Sequence, residues 1–175
     1  GLDRISDVLV IDIGAGTTDL CRMHGTIPAD EDQIGLEIAG ENVVGVIYLP
    51  GLGEMVAAAK GHGCRWNGRP ARVSDVSDLG QALVTYTEIA GFADYGRAEA
   101  WARLQAATHT QRGWGDCYGH CLVATGRAEV MLDPILSAWD CAALVPILEG
   151  AGGTFTDWDG ETTIYSGHGF STNGA

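Results

Sequence analysis

A tryptophan–aspartate motif at the start of one helix constrains the fold more than any other feature of this sequence. Trp139-Asp140-Cys141-Ala142-Ala143 lies in a stretch, 138–150, that predicts the best helix in the chain. Gly152-Gly153 follows it and provides a helix stop. Apolar side chains recur on one helical face, at Leu144, Ile147 and Leu148. A helix with such a face must bury it against a second layer of structure.

Strands alternate with helices through the second half of the chain. The spacing predicts helices over 95–107 and 116–124 and strands over 82–87, 128–132 and from 154 to 156. Upstream, the β-rich runs 43–49 and 54–60 precede Asn67-Gly68, a strong hairpin-turn signal. This order predicts an α/β fold with a layered mixed sheet and flanking helices. We expect a partial amino-terminal α+β portion over 1–74 and a carboxyl-terminal α/β domain over 75–175.

Composition and charge exclude several classes of function. Hydrophobic residues make up 46% of the 175 residues, so the chain can bury a core. No apolar run approaches the roughly 18 residues of a membrane span. The formal net charge of −13 opposes nucleic-acid binding, because such binding needs a basic footprint. It opposes anionic membranes for the same reason. Acidic side chains do suit a divalent cation.

The five cysteines predict no disulfide framework, because their number is odd and their spacings are wide. A reduced, cytoplasmic protein is therefore expected. Cys117 and Cys121 lie four residues apart with His120 between them. Zinc would need further ligands at a recognisable spacing. We therefore interpret both cysteines as small apolar residues on one face of a helix.

Asp140 has two interpretations from the residues alone. A carboxylate at a helix start caps the first turn and interacts favourably with the helix dipole. The same carboxylate, beside backbone N–H groups, can hold a cation whose other ligands are phosphate oxygens.

The motif around Asp140, followed by Glu149 to Gly153, resembles the second signature of the inositol monophosphatase family. The resemblance covers 43–175 and continues upstream in the family's order, through Gly45–Tyr48, Pro50, Glu54, Gly61–Gly63, Asn67-Gly68 and Val73-Ser74. Three further segments resemble its histidinol-phosphatase branch, namely 112–119, 124–129 and 171–174. The likeness implies the carboxyl-terminal part of this sugar-phosphatase fold, with the amino-terminal part truncated.

The resemblance implies roles for three carboxylates. In the family, the aspartate of the tryptophan–aspartate motif is a metal ligand, and Asp140 occupies that position. Asp133 occupies a substrate-contacting position, where a carboxylate suits the cationic amine of histidinol phosphate. From the residues alone, Asp133-Pro134 is also typical of a turn. Asp116 matches a substrate-side position, and its alternative is a helix cap.

The family's first metal signature reads Asp-Pro-Ile-Asp-Gly-Thr, and the stretch here is Asp12-Ile13-Gly14-Ala15-Gly16-Thr17. The resemblance implies that Asp12 is a metal ligand and a catalytic residue. It implies that Thr17 is catalytic and, with Gly16, contacts the substrate. Ala15 replaces the second aspartate and cannot ligate a metal, which predicts impaired activity.

Residues 8–40 resemble a second family. The run VLVIDIGAGTTDL over 8–20 is similar to a phosphate-binding loop of the actin-like ATPases. In such a loop, backbone N–H groups face nucleotide phosphates and glycine permits the close approach. The following segment resembles the bacterial actin-like branch. We interpret the chain as a chimera of the two families, joined near Asn42.

Together the likenesses imply a Mg²⁺-dependent phosphomonoesterase for a small phosphorylated metabolite, histidinol phosphate or inositol phosphate. Mg²⁺ would connect carboxylates to the substrate phosphate. The missing ligands leave two other hypotheses: a catalytically inactive family remnant, and a nucleotide-binding module built on Asp12–Asp19. A protein-interaction role is a weaker alternative, because a truncated layer exposes strand edges. A homodimer would cover such an edge.

Overall fold

The computed structural model describes residues 23–24, 27–28, 32–38 and 40–175. The strands of this part are β1 (Met23–His24), β2 (Ile27–Pro28), β3 (Asp32–Ile38), β4 (Glu41–Leu49), β5 (Glu54–Ala59), β6 (Cys64–Trp66), β7 (Arg69–Ala71), β8 (Leu83–Tyr86), β9 (Thr110–Gly113), β10 (Val130–Asp133), β11 (Thr154–Thr156) and β12 (Gly169–Thr172). The α-helices are α1 (Ile89–Asp94), α2 (Ala98–Ala107), α3 (Asp116–Ala124), α4 (Ala138–Cys141) and α5 (Leu144–Ala151). One 3₁₀ turn covers Leu79–Gln81.

The first sheet is an antiparallel meander in the order β3-β4-β5-β6-β7. Alternate side chains of β4 and β5 point into the core, as expected for a sheet with one buried face. The turn between β6 and β7 confirms the Asn67-Gly68 prediction. Both residues have positive φ, 48° and 78°, which a two-residue hairpin turn requires.

The second sheet is mixed, in the order β11-β12-β10-β8-β9. Strand β8 runs parallel to both β9 and β10, whereas β12 is antiparallel to β10 and to β11. The chain crosses from β8 to β9 through α1 and α2, and from β9 to β10 through α3. Helical crossovers of this kind place the carboxyl ends of three parallel strands at one edge of the sheet.

Helix α5 lies between the two sheets and packs against β4, β5 and β6 on one side and β11 on the other. Its side chains Leu144, Ile147 and Leu148 are completely buried in the main core. The predicted apolar face and the layered α/β architecture are therefore confirmed. Within the part of the chain that the structure describes, none of the helices is long and apolar enough to cross a bilayer.

Glycines let the start of α5 lie directly on the first sheet. A Cβ atom on Gly45 would lie 2.2 Å from the carbonyl oxygen of Ala143. A Cβ atom on Gly35 would lie 2.4 Å from the Cβ atom of Ala142. Only glycine allows this separation, so β3 and β4 form a close platform beneath the turn that follows Asp140.

Two helix predictions need correction. The stretch 138–150 forms two helices, α4 and α5, because Pro146 has no N–H to continue the helix and fits only within a first turn. The helix predicted from residue 95 begins at Ala98, because Gly96 takes a left-handed φ of 70° and separates α1 from α2. The predicted domain boundary at 74/75 falls in a stretch without regular structure, 72–78, and stays a prediction.

Candidate functional site

Three polar segments meet where the parallel strands end. Strand β8 leads into Thr87, β10 ends at Asp133, and β9 leads through Gly115 to Asp116 at the start of α3. The loop after β10 leads to α4, which carries Asp140 in its first turn. The carboxyl edge of an open α/β sheet is the usual place for a ligand site. The structure therefore brings Asp116 and Asp133 to one edge through Thr87.

The carboxylate of Asp133 is buried, with 2% of the residue exposed. The Thr87 hydroxyl donates to Oδ1 of Asp133 in a short hydrogen bond. The other oxygen, Oδ2, lies 3.2 Å from Nε2 of His120. A buried carboxylate needs such partners, because its desolvation is otherwise unfavourable.

His120 is the second buried polar side chain of this site. It lies on α3 among buried apolar neighbours and is 1% exposed. Its Nδ1 atom is 2.7 Å from the hydroxyl oxygen of Ser171, on β12, and Ser171 is completely buried. Both ring nitrogens therefore have a partner inside the core.

Thr87 connects the buried carboxylate to the surface. Thr87 is exposed, and its hydroxyl oxygen also accepts a 3.2 Å hydrogen bond from the backbone N–H of Asp116. Asp116 is exposed and has a φ of 54°, an uncommon conformation for a residue with a side chain. Gly115 permits the contact, because its Cβ atom would lie 2.7 Å from Cα of Thr87. Thr87 thus fixes the start of α3.

Asp140 has a different environment. It is half-buried, and its Oδ2 accepts a 3.1 Å hydrogen bond from the backbone N–H of Ser137. The predicted helix-capping role is therefore present. Among the described residues, no hydrogen bond is made to its other oxygen, Oδ1. Within the described part of the chain, one carboxylate oxygen is therefore open to a cation while the other holds the helix start.

The pKa of the Cys141 thiol responds to burial and to the charges of both Asp140 and Asp133. Burial raises the pKa of its thiol to about 12, and the negative charges of Asp140 and Asp133 contribute. A thiol with so high a pKa stays protonated near neutral pH and is a poor nucleophile. Cys141 therefore serves packing rather than chemistry. Trp139, its neighbour on α4, is 61% exposed and borders the site.

The described residues provide only part of a metal site. Among them, no group of three or more His, Cys, Asp or Glu side chains is placed to hold an ion. Mg²⁺ is commonly bound through one or two carboxylates, with waters and substrate phosphate as its other ligands. The open oxygen of Asp140 fits that chemistry. The other predicted site residues, Asp12, Gly16 and Thr17, lie outside the described residues.

Sequence reasoning assigned no role to Thr87 or Ser171, and His120 was noted only as the residue between Cys117 and Cys121. Thr87 directly follows β8 and has no motif of its own, whereas Ser171 belongs to β12, in a segment whose resemblance gave it no role. The signal at His120 was a lone imidazole within a helix of small apolar residues, which a core tolerates only when both nitrogens find partners. The apolar interpretation of Cys117 and Cys121 agrees with their burial.

Comparison with known proteins assigns the family. The model of the inositol monophosphatase family matches residues 33–173, so the chain belongs to that family. A histidinol-phosphatase of Chlorobaculum parvum is 43% identical over 154 residues, which are 87% of this chain. The inositol monophosphatase structure from Anabaena has a TM-score of 0.73 at 32% identity and covers 90% of this chain. The resemblance drawn from the sequence is confirmed.

The chain spans only part of these relatives. It covers 59% of the Chlorobaculum protein and 60% of the Anabaena chain. A separate likeness agrees with the actin-like segment: the actin-like protein MamK of Magnetospirillum gryphiswaldense is 52% identical over 40 residues. That match covers 23% of this chain and 11% of MamK.

Proposed function

We propose that this chain carries the alcohol-binding side and two metal-binding carboxylates of a Mg²⁺-dependent phosphomonoesterase of the histidinol-phosphatase type. The observation that carries the proposal is the convergence of Thr87, Asp116 and Asp133 at the carboxyl edge of the parallel strands. Asp140 at the next helix start adds a half-exposed carboxylate with one open oxygen. The 43% identity between this sequence and a protein described as a histidinol-phosphatase supports the same activity.

Asp140 and Asp12 would hold Mg²⁺, which supplies Lewis-acid stabilisation of the phosphate and a more acidic water when bound. Within the chain itself, the hydrogen bond from Ser137 to Oδ2 orients the Asp140 carboxylate. Thr17 and Gly16 would contact the phosphate. Asp116, which is exposed, would serve recognition of the alcohol, where negative charge suits the amine of histidinol phosphate, and the buried Asp133 would contribute through Thr87.

The deciding experiment measures inorganic phosphate released from histidinol phosphate and from inositol monophosphate, with and without millimolar Mg²⁺. We expect Mg²⁺-dependent release that is faster for histidinol phosphate. Asp140→Asn retains an oxygen for the helix cap but removes the ligand charge. It should lower the rate by about 10³-fold, the size typical for loss of an electrostatic contact to the transition state.

Glu99→Gln is the matched control, because Glu99 is also a first-turn carboxylate, on α2, but is exposed and far from the predicted site residues in the sequence. It should change the rate by less than about twofold. A well-folded wild-type chain without phosphate release overturns the proposal and favours the inactive-remnant hypothesis. Thermal stabilisation by ATP, with no effect of phosphomonoesters, would favour the nucleotide-binding module instead.

A further inference from the structure

A chain of buried hydrogen bonds reaches the proposed alcohol side from inside the core. It links Ser171 to His120, His120 to Asp133, and Asp133 to Thr87. The first three side chains are almost fully buried, whereas Thr87 is exposed. Buried polar side chains in a core of this size need a structural or functional reason, because an apolar replacement would pack without desolvation.

The chemistry of the groups gives the chain one direction. A carboxylate only accepts hydrogen bonds, so Nε2–H of His120 and O–H of Thr87 both donate to Asp133. In the neutral tautomer with its proton on Nε2, the imidazole has an acceptor at Nδ1, to which the Ser171 hydroxyl, 2.7 Å away, would donate. Every donor then points toward Asp133.

The direction determines what Thr87 can offer a ligand. Its single hydroxyl proton is committed to Asp133, so the oxygen is left with acceptor lone pairs only. One lone pair takes the backbone N–H of Asp116 at 3.2 Å. Among the described residues nothing else donates to this oxygen, and Thr87 is exposed at the sheet edge. Asp133 is too deeply buried to present much surface of its own.

We propose that Thr87 contacts the substrate as an obligate hydrogen-bond acceptor, and that Ser171, His120 and Asp133 are the positioning residues that fix its polarity. The site would accordingly select alcohols that carry a donor, an ammonium or a hydroxyl group, beside the phosphate ester. This inference rests on the proposed function, and it assigns the recognition of the alcohol to Thr87 with Asp133 acting through it.

The kinetic test compares two phosphomonoesters. Histidinol phosphate carries an ammonium group as a hydrogen-bond donor, whereas the phenyl group of phenyl phosphate carries no donor. Thr87→Val should raise KM for histidinol phosphate about tenfold, the usual cost of a lost hydrogen bond to a charged group, with little change in kcat. KM for phenyl phosphate should change less than about twofold. Thr87→Ser keeps the hydroxyl and should behave like the wild type. Equal effects on both substrates would reduce Thr87 to a structural role and overturn the proposal.

His120 offers a matched pair of variants. His120→Gln can place an N–H near the position of Nε2, whereas His120→Asn reaches only the position of Nδ1. His120→Asn should reproduce the KM effect of Thr87→Val, and His120→Gln should partly restore the wild-type value. Identical behaviour of the two variants would contradict a positioning role for His120.

The tautomer of His120 is measurable without any turnover. Long-range ¹H–¹⁵N spectra of histidine-labelled protein, assigned with His120→Asn, should show the proton on Nε2. A proton on Nδ1 alone would reverse the chain and overturn the proposal. If the wild type releases no phosphate, the proposed function fails, while this spectrum still decides the direction of the chain. Calorimetric titration of L-histidinol into wild type and Thr87→Val then decides the contact.

Discussion

Asp133 and Asp140 lie seven residues apart in the sequence, but they differ in their place in the fold, in their burial and in the number of their hydrogen-bonded oxygens. Asp133 ends a central strand, is 2% exposed and has partners for both oxygens. Asp140 lies in the first turn of a short helix, is half-buried and has one bonded oxygen among the described residues. Identical side chains therefore have different tasks. A buried carboxylate with both oxygens bonded can orient its neighbours, whereas one with an open oxygen can accept a ligand.

The largest expected effect tests this difference through stability. Asp133→Ala leaves the Nε2–H of His120 and the hydroxyl of Thr87 without their acceptor inside the protein. We expect a loss of about 3 kcal/mol in the free energy of unfolding, because removal of one partner strands the others. Asp140→Ala removes one capping bond and should cost about 1 kcal/mol. Urea unfolding, followed by fluorescence, measures both values.

The order of these two losses is the decisive outcome. If Asp140→Ala were less stable than Asp133→Ala, the helix cap at Asp140 would stabilise the carboxyl edge of the second sheet more than the buried hydrogen bonds of Asp133 do. Asp133→Asn is the matched control, because it keeps the volume and one acceptor oxygen. It should fall between the wild type and Asp133→Ala.

The second expected effect tests the platform beneath Asp140. Gly45→Val would place a side chain against the carbonyl oxygen of Ala143, 2.2 Å from the Cβ position. We expect a loss of about 2–3 kcal/mol, because the start of α5 must move away from β4. Gly51→Ala is the matched control, since a Cβ atom there has no neighbour within 4 Å. Thermal unfolding of the two variants checks the prediction, and equal midpoints would contradict it.

Features that depend on residues near in the sequence were predictable, whereas features made by distant strands were not. The Asn67-Gly68 turn, the helix over 116–124 and the motif at Asp140 are local signals, since turn conformation and helix periodicity depend on near neighbours. They predicted the fold class and a carboxylate at a helix start. The break before Pro146 was also locally encoded, but the strong apolar face of 138–150 obscured it.

The series of buried hydrogen bonds from Ser171 to Thr87 was not predictable, because the pairing of distant strands creates it. Thr87 and Asp133 meet only because β8 and β10 pair in parallel, and Ser171 joins them because β12 pairs with β10. No spacing in the sequence encodes that register. Asp133 was singled out by the resemblance alone, and His120 was a lone polar residue whose meaning depended on partners distant along the sequence.

The third expected effect concerns Thr87, the residue between the buried and the open region. Thr87→Val keeps the shape but removes the donor to Asp133 and the acceptor for the N–H of Asp116. We expect a loss of about 1–2 kcal/mol in the free energy of unfolding, and Thr87→Ser should lose less than half as much. Urea unfolding measures both variants. Equal losses would show that the methyl group of Thr87 matters more than its hydroxyl.

The smallest expected effect uses a third carboxylate, Asp157, in the turn after β11. Its pKa is lowered from the ordinary value of 3.8 because the Ser166 hydroxyl donates to Oδ2 at 2.7 Å. The backbone N–H groups of Glu161 and Asp159 donate to Oδ1, each at 2.9 Å, and lower it further. Like Asp133, Asp157 is buried, and both of its carboxylate oxygens have hydrogen-bond partners.

A lowered pKa has a definite consequence for stability. The ionised form binds better in the folded state, so its contribution is complete above the unfolded pKa and is lost as the pH falls through the folded value. Thermal midpoints of wild type and Asp157→Asn should therefore differ near neutral pH and converge below about pH 4. Asp159→Asn, an exposed neighbour, should show a difference that changes little over this range. A wild-type advantage that persists or grows in acid would mean that the turn is held by its shape and not by the charge of Asp157.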